Sequence, residues 1–140
     1  MSRLLLVDDS FAARFGVRRA LHDMGYVVDE ATTLTETLEL LASAKYDGMV
    51  LDWSLTPFGN EGERVLQELG RLPRARRPVV VVVTAIDDPG VESRALALGA
   101  RRVFVKPVSV ETLAAWLPKP KRRPKAPVEP KRKQRKRRSK

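Results

Sequence analysis

The stretch Val79-Val80-Val81-Val82-Val83-Thr84 is an unbroken β-branched run that ends on a hydroxyl. A half-buried strand alternates apolar and polar residues. A run without a polar position therefore belongs to a strand covered on both faces, as in the centre of a parallel sheet. Working outward, similar short runs occur at Leu4–Val7, at Gly48–Leu51 (ending on Asp52) and at Val103–Val105, with a weaker one at Tyr26–Asp29. Amphipathic stretches lie between them. Val17, Ala20, Leu21 and Met24 share one face of a helix predicted from Phe11 to Met24, with Ser10 in its N-cap region and Gly25 at its end. Leu34, Leu38 and Leu41 mark a second helix, and Val65, Leu66 and Leu69 a third. A fourth is expected over Val91–Leu98, and a fifth over Ser109–Leu117, capped by Ser109 and stopped by Pro118. Five such units predict an α/β domain, a doubly wound (βα)5 parallel sheet with helices on both faces. The pattern leaves the strand order open.

Charge divides the chain in two. Residues 118–140 hold 13 of the 27 Lys and Arg but one of the 17 acids, Glu129. That segment carries about +12, and the remainder is close to neutral. It also holds five of the ten prolines and no aromatic residue. Such a composition cannot offset the entropy cost of ordering, so the tail is expected to be disordered. The predicted division is a folded domain over 1–117 and a Lys/Arg/Pro-rich basic tail over 118–140. There is no cysteine, which excludes disulfides and thiolate metal sites and fits a cytoplasmic location. The run at Leu4–Val7 is too short for a secretion signal, and no apolar run approaches the length of a membrane span.

The polar residues at the strand ends carry the chemistry. The first strand ends at Asp8 and Asp9, the third at Asp52, the fourth at Thr84 and the fifth at Lys106. In open α/β sheets the functional crevice lies outside the C-terminal ends of the strands, so these residues are expected to share one rim. Three carboxylates brought together repel unless protonated or bridged by a cation, and oxygen-only ligands favour Mg²⁺ or a similar hard ion. A carboxylate can attack phosphorus. A lysine ammonium and a threonine hydroxyl suit the oxygens of a phosphoryl group in transfer.

The motifs Leu4-Leu5-Leu6-Val7-Asp8-Asp9-Ser10, Met49-Val50-Leu51-Asp52-Trp53, Val81-Val82-Val83-Thr84-Ala85, Leu98-Gly99-Ala100 and Val105-Lys106-Pro107 occur in this order. Together they resemble the receiver (CheY-like) domain of bacterial two-component response regulators, over Leu4 to about Leu117. The resemblance implies the flavodoxin-like, CheY-like three-layer sandwich. It implies Asp52 as phosphoacceptor, and Mg²⁺ (or Mn²⁺) held by Asp8, Asp9, Asp52 and the Ser54 carbonyl. It implies Lys106 as the phosphoryl partner, Thr84 as the switch, and a cis bond between Lys106 and Pro107. The phosphoryl group would come from a histidine kinase, a phosphotransfer protein or a small phosphodonor. The domain would catalyse its own phosphorylation and dephosphorylation. The function expected is that of a stand-alone response regulator signalling through protein contacts, its polycationic tail, or both. The alternative is a phosphorylation-independent receiver that docks protein or nucleic acid. A hydrolase using the same aspartate on small phosphoesters would need a second domain or substrate pocket.

Two features depart from the family pattern. Pro57 and Gly62 follow Asp52 by one and by two residues more than is common, so the loop after the third strand is about two residues longer. The position that usually carries a switch aromatic, three residues before the lysine, is Val103. Phe104 comes one residue later and by strand alternation faces the other way. Phe58 is expected at the exposed tip of the long loop. Trp116 is expected either to plug the core edge or to serve an interface.

The tail is too short and too polar for a DNA-binding fold. Its cations Lys119, Lys121, Arg122 and Arg123, then Lys131, Arg132, Lys133, Arg135, Lys136, Arg137 and Arg138, suit nucleic-acid phosphates or an acidic protein. A membrane surface is the weaker fit, because there is no lipid anchor or apolar face. His22, Arg18, Arg19, Arg101 and Arg102 read as solvated surface. So does the Arg74–Arg77 cluster, which is also a candidate extension of a polyanion contact. Asp87 and Asp88 are expected to lie too far round the rim to hold a metal.

Overall fold

A computed structural model of the protein describes residues 2–120. The basic run from residue 121 onward, and the lack of order expected of it, lie outside the described residues. The elements alternate as β1 (Arg3–Val7), α1 (Phe11–Asp23), β2 (Val27–Ala31), α2 (Leu34–Ser43), β3 (Gly48–Asp52), α3 (Glu61–Leu69), β4 (Val79–Thr84), α4 (Pro89–Ala97), β5 (Arg102–Val105) and α5 (Val110–Ala114). A single 3-10 turn at Arg74–Arg76 leads into β4.

The five strands form one parallel sheet in the order β2-β1-β3-β4-β5. The chain moves to one side of β1 to make β2, then crosses back to place β3 on the other side. With right-handed crossovers, that reversal sends α1 to one face and α2, α3 and α4 to the other, and α5 returns to the α1 face. It also leaves a crevice between the C-terminal ends of β1 and β3.

The valine run is divided between two cores, as strand alternation requires. Val80 and Val82 pack with Leu5, Leu51, Leu41, Val65 and Ala95 on the face covered by α2, α3 and α4. Val81 and Val83 pack with Leu4, Val50, Leu21 and Leu113 on the face covered by α1 and α5. The four valines are each at most 5% exposed, so each contributes about 1.5–3 kcal/mol by burial.

Local chemistry sets the helix ends. Ser10, Thr33 and Ser109 accept from the third backbone N–H of α1, α2 and α5, each cap contributing about 1 kcal/mol. Gly25 follows α1 and Gly99 follows α4, both with positive φ, a conformation that favours glycine.

Several expected boundaries move. The second strand runs from Val27 to Ala31 instead of Tyr26 to Asp29. Tyr26 is buried below the strand and its hydroxyl donates to the Pro118 carbonyl at 2.7 Å. The fourth helix begins at Pro89, because Asp88 caps it and proline suits a first turn. The third begins at Glu61, well ahead of its apolar stripe. The fifth stops at Ala114, and Trp116 and Leu117 then donate to the carbonyls of Leu113 and Ala114. These tighter bonds end the helix and turn Leu117 into the core before Pro118 is reached. The chain stays anchored beyond Leu117, since the Lys119 carbonyl accepts from the Ser2 hydroxyl. No helix among the described residues is long and apolar enough to cross a membrane.

Candidate phosphoacceptor site

The crevice at the reversal point collects the acids. Asp8 and Asp9 follow β1 directly, and Asp52 is the last residue of β3. Carboxylate oxygens of all three lie within 4.8 Å of one another. Asp8 and Asp52 are buried and Asp9 is exposed, so the cluster has one open side. Asp8 Oδ1 accepts from the Ser10 N–H at 2.9 Å, and this turn leads into the cap of α1. Asp52 Oδ1 accepts from the Ser54 N–H at 3.3 Å.

Lys106 reaches the same place from β5. β5 and β3 lie two strand spacings apart, roughly 10 Å, and the Lys106 arm and the Asp52 carboxylate meet across the end of β4. Its ammonium donates to Asp52 Oδ2 at 3.0 Å and to Asp8 Oδ2 at 3.2 Å. The Lys106 N–H donates to the Thr84 carbonyl at 2.8 Å, and the bond to Pro107 is cis. Thr84 is buried, and its hydroxyl oxygen accepts from the Ile86 N–H at 3.1 Å.

The electrostatics follow from crowding. Burial raises the Asp52 carboxyl above the usual carboxylate range and the charge of Asp8 adds to this, against the opposing pull of Lys106 and the Ser54 N–H. Burial lowers the Lys106 ammonium, but its hydrogen bonds and charge attraction to Asp52 and Asp8 outweigh burial, and its pKa is raised. One lysine does not neutralise three carboxylates. The oxygen-only donors and the open side at Asp9 fit a hard divalent cation.

The other residues singled out in the sequence are placed as follows. Ser54 lies in the loop after β3, where its N–H serves Asp52 and its hydroxyl donates to the Gly59 carbonyl. Val103 packs toward the α2–α4 face and Phe104 toward the α1–α5 face, so no ring occupies the switch position. Phe58 is fully exposed at the loop tip with φ of 60°. Trp116 does not plug the core. It is 36% exposed, with the Arg102 guanidinium 4.6 Å from its ring centre. His22 is exposed. Asp88 caps α4, and neither it nor Asp87 joins the acid cluster.

Three features escape a reading of the sequence. Glu61 braces the long loop, accepting from the Leu55 N–H at 2.8 Å and from the Thr56 hydroxyl. Arg14 donates to the Asp8 carbonyl at 2.9 Å and to Glu30 at 3.0 Å, holding the backbone beside the cluster. Phe11 and Phe15 stack in the open on α1, 72% and 46% exposed. The signal for the last is present in the sequence, since both lie off the stripe of Val17, Leu21 and Met24. An apolar cleft of about 470 Å³ opens between the other face of α1, at Ala13 and Val17, and the start of α5, with Asp8 and Lys106 at its edge.

Comparison with known proteins agrees with this geometry. Residues 4–117 match the response regulator receiver domain family, and the chain belongs to that family. It is similar to the transcriptional regulatory protein QseB of Escherichia coli O157:H7, 34% identical over 115 residues, covering 82% of this chain and 51% of that protein. It is also similar to the response regulator MprA of Mycobacterium ulcerans, 36% identical over 115 residues, covering 81% of this chain and 47% of that one. The chain thus spans about half the length of these relatives. Among solved structures, the chemotaxis response regulator CheY4 of Vibrio cholerae superposes with a TM-score of 0.72 at 28% identity, covering 82% of this chain and 94% of that one. A Burkholderia pseudomallei response regulator, solved with a phosphorylated aspartic acid, a calcium ion and citrate, shares the fold at a TM-score of 0.72 and 24% identity, covering 84% of this chain and 67% of that one.

Proposed function

We propose that this receiver accepts a phosphoryl group on Asp52 from a partner histidine kinase or phosphotransfer protein, in a Mg²⁺-dependent step, and signals through protein contacts and its basic tail. The observation that carries the reading is the acid cluster with Lys106 bridging Asp8 and Asp52. Asp8, Asp9 and Asp52, with the Ser54 carbonyl, would hold Mg²⁺ (or Mn²⁺), which when bound supplies charge neutralisation for the incoming phosphate. An Asp52 carboxylate oxygen forms the new bond to phosphorus as the donor's bond to phosphorus breaks. The result is an acyl phosphate. The Lys106 ammonium, already at the Asp52 carboxylate, turns to a phosphoryl oxygen. The Thr84 hydroxyl donates to another. Because the Thr84 oxygen holds the Ile86 N–H, its movement draws on the loop into α4 without a ring at position 103.

The phosphodonor partner docks over α1. Phe11 and Phe15 offer an exposed apolar surface at the start of α1, just after the acids that follow β1, and Phe58 adds a contact from the long loop. The tail engages polyanions through its phosphate-seeking cations, at a strength that falls with salt. One observation favours the phosphorylation-independent alternative: Glu61 locks the longer loop in a conformation of its own beside the acids.

The test is transfer itself. The full chain is incubated with a small labelled phosphodonor in Mg²⁺ and in EDTA, and the product is treated with hydroxylamine. Label acquired only with Mg²⁺ and removed by hydroxylamine is the expected result for an acyl phosphate. A folded chain that acquires no label, or label stable to hydroxylamine, contradicts it.

A further inference from the structure

We infer that Arg14 is a positioning residue for the acidic turn after β1. It fixes the peptide between Asp8 and Asp9, and so sets how the two carboxylates meet a divalent cation. The inference rests on the reading of Asp8, Asp9 and Asp52 as cation ligands, and adds a residue on which that site depends.

The peptide unit between Asp8 and Asp9 is a plane that carries both Cα atoms. Turning that plane swings one carboxylate against the other. Its carbonyl is the group that Arg14 holds, accepting from Nη1 at 2.9 Å. On the other side of Asp8, the N–H donates to the Ala31 carbonyl at 3.2 Å. The Asp8 side chain is tied further by the Ser10 N–H and by Lys106. Asp9 has no such ties. Its side chain is exposed and makes no hydrogen bond or ion pair among the described residues. The place of Asp9 in the cluster is therefore set by its backbone, which begins at the peptide that Arg14 grips.

Arg14 is itself held still. It lies in the first turn of α1, where its N–H donates to the Ser10 carbonyl at 3.0 Å. Helical side chains lean toward the helix N-terminus, here toward the acidic turn. Arg14 Nε donates to Glu30 Oε1 at 3.0 Å, the guanidinium lies 5.8 Å from the centre of the Phe11 ring, and the side chain is 12% exposed. The planar fork gives its two donors a fixed geometry. Arg18 supplies the contrast. It pairs with Glu30 Oε2 at 3.0 Å and lies over Phe15 in the same manner, yet it makes no bond to the acidic turn among the described residues.

Charge does not account for this placement. Among the described residues Arg14 forms no ion pair with Asp8, Asp9 or Asp52, and its carboxylate partner is Glu30. A cation beside the cluster would repel an incoming divalent ion, whereas a fixed turn favours it. The two effects differ in sign, so metal affinity separates them. Groups that orient metal ligands from behind typically contribute about 10- to 100-fold in affinity.

The experiment titrates the full chain with Mn²⁺ in the absence of a phosphodonor, and reads the free ion by electron paramagnetic resonance. The variants are Arg14→Lys, Arg14→Gln and Arg18→Gln, each checked for folding by melting. Arg14→Lys keeps the charge and loses the fork, and is expected to bind Mn²⁺ about tenfold more weakly than wild type. In Arg14→Gln the lost charge offsets part of the effect, and binding about threefold weaker is expected. Arg18→Gln is expected to stay within about twofold of wild type, because exposed charges are screened. If Arg14→Gln does not fold, Arg14→Lys decides alone. Wild-type affinity in Arg14→Lys, or binding as tight as wild type or tighter in Arg14→Gln, overturns the inference and leaves the cation reading standing. An equal loss in Arg18→Gln does the same, since it assigns the effect to the charge of the α1 face. No Mn²⁺ bound by folded wild type overturns the cation reading and this inference with it.

Discussion

The two ends of the sheet treat charge in opposite ways. At the C-terminal end of the strands, Asp8 and Asp52 are buried, crowded with Asp9, and held by one lysine that reaches both. At the N-terminal end, Arg74, Arg76, Arg101 and Arg102 stand exposed without carboxylate partners among the described residues, and the acid-poor tail departs beside them. A parallel sheet makes this separation easy, because every βα loop falls on one rim and every αβ loop on the other. A domain close to neutral overall can therefore be strongly polarised along its strands. The phosphoacceptor end stores unfavourable charge that a cation and a phosphoryl group would organise. The opposite end leaves favourable charge open to a partner.

The largest effect is expected from breaking the balance at the acid end. Lys106→Met leaves two buried carboxylates without their cation. Breaking a buried pair costs about 3–5 kcal/mol. Because the Lys106 side chain is 33% exposed, about 2 kcal/mol is expected, read by denaturant unfolding in EDTA. Phosphoryl transfer is expected to fall about a hundredfold or more, as when a preorganised charge partner is lost. Unchanged stability in this variant would mean that the acids are not mutually strained.

Gly62→Ala ranks next. A Cβ there would lie 2.8 Å from Trp53 Cα and 3.2 Å from the Asp52 carbonyl, so backbone must move. Overpacking of this kind costs about 1–3 kcal/mol. Both a lower melting temperature and slower phosphorylation are expected, because the strain falls on the strand end that carries Asp52.

The opposite end has its own signature in pH. Burial pushes the Tyr46 phenol up, and its bond to Asp29 at 2.7 Å and the Asp29 charge add to this. Burial also pushes up Tyr26. In the unfolded chain both ionise near their ordinary value of 10.0, while in the folded chain they keep their protons. The stability they contribute is therefore complete below pH 10.0 and is lost as pH rises through their folded values. Denaturant midpoints are expected to fall above pH 10.0, and to fall less steeply in Tyr46→Phe.

The smallest effect is expected at the long loop. Glu61→Gln keeps an acceptor for the Leu55 N–H but weakens the charged bonds, at a cost of about 0.5–1.5 kcal/mol. Changed transfer from a protein donor with unchanged transfer from a small phosphodonor would assign the loop to partner choice.

Much of the acid end is legible in the sequence, because strand ends can be read from apolar runs: Asp8 and Asp9 follow one, and Asp52, Thr84 and Lys106 close three others. The resemblance adds their order. What stays hidden depends on contacts between segments that no local pattern encodes. The brace from Glu61 needs the loop to fold back on its own helix. The start of α3 is hard to read because Gly62 serves a close approach to Trp53, not helix propensity. The second strand reads as starting too early because Tyr26 resembles a strand former, whereas its ring fills the core below the sheet. The polarity of the arginine rim emerges only from the register and the ion pairs.

The assignment of Asp52 as phosphoacceptor is most directly tested by intact mass. Wild type and Asp52→Asn are incubated with a small phosphodonor, with Mg²⁺ and with EDTA. A gain of one phosphoryl group is predicted in wild type with Mg²⁺, and none in the other three samples. A gain retained in Asp52→Asn, or no gain in folded wild type, would contradict it.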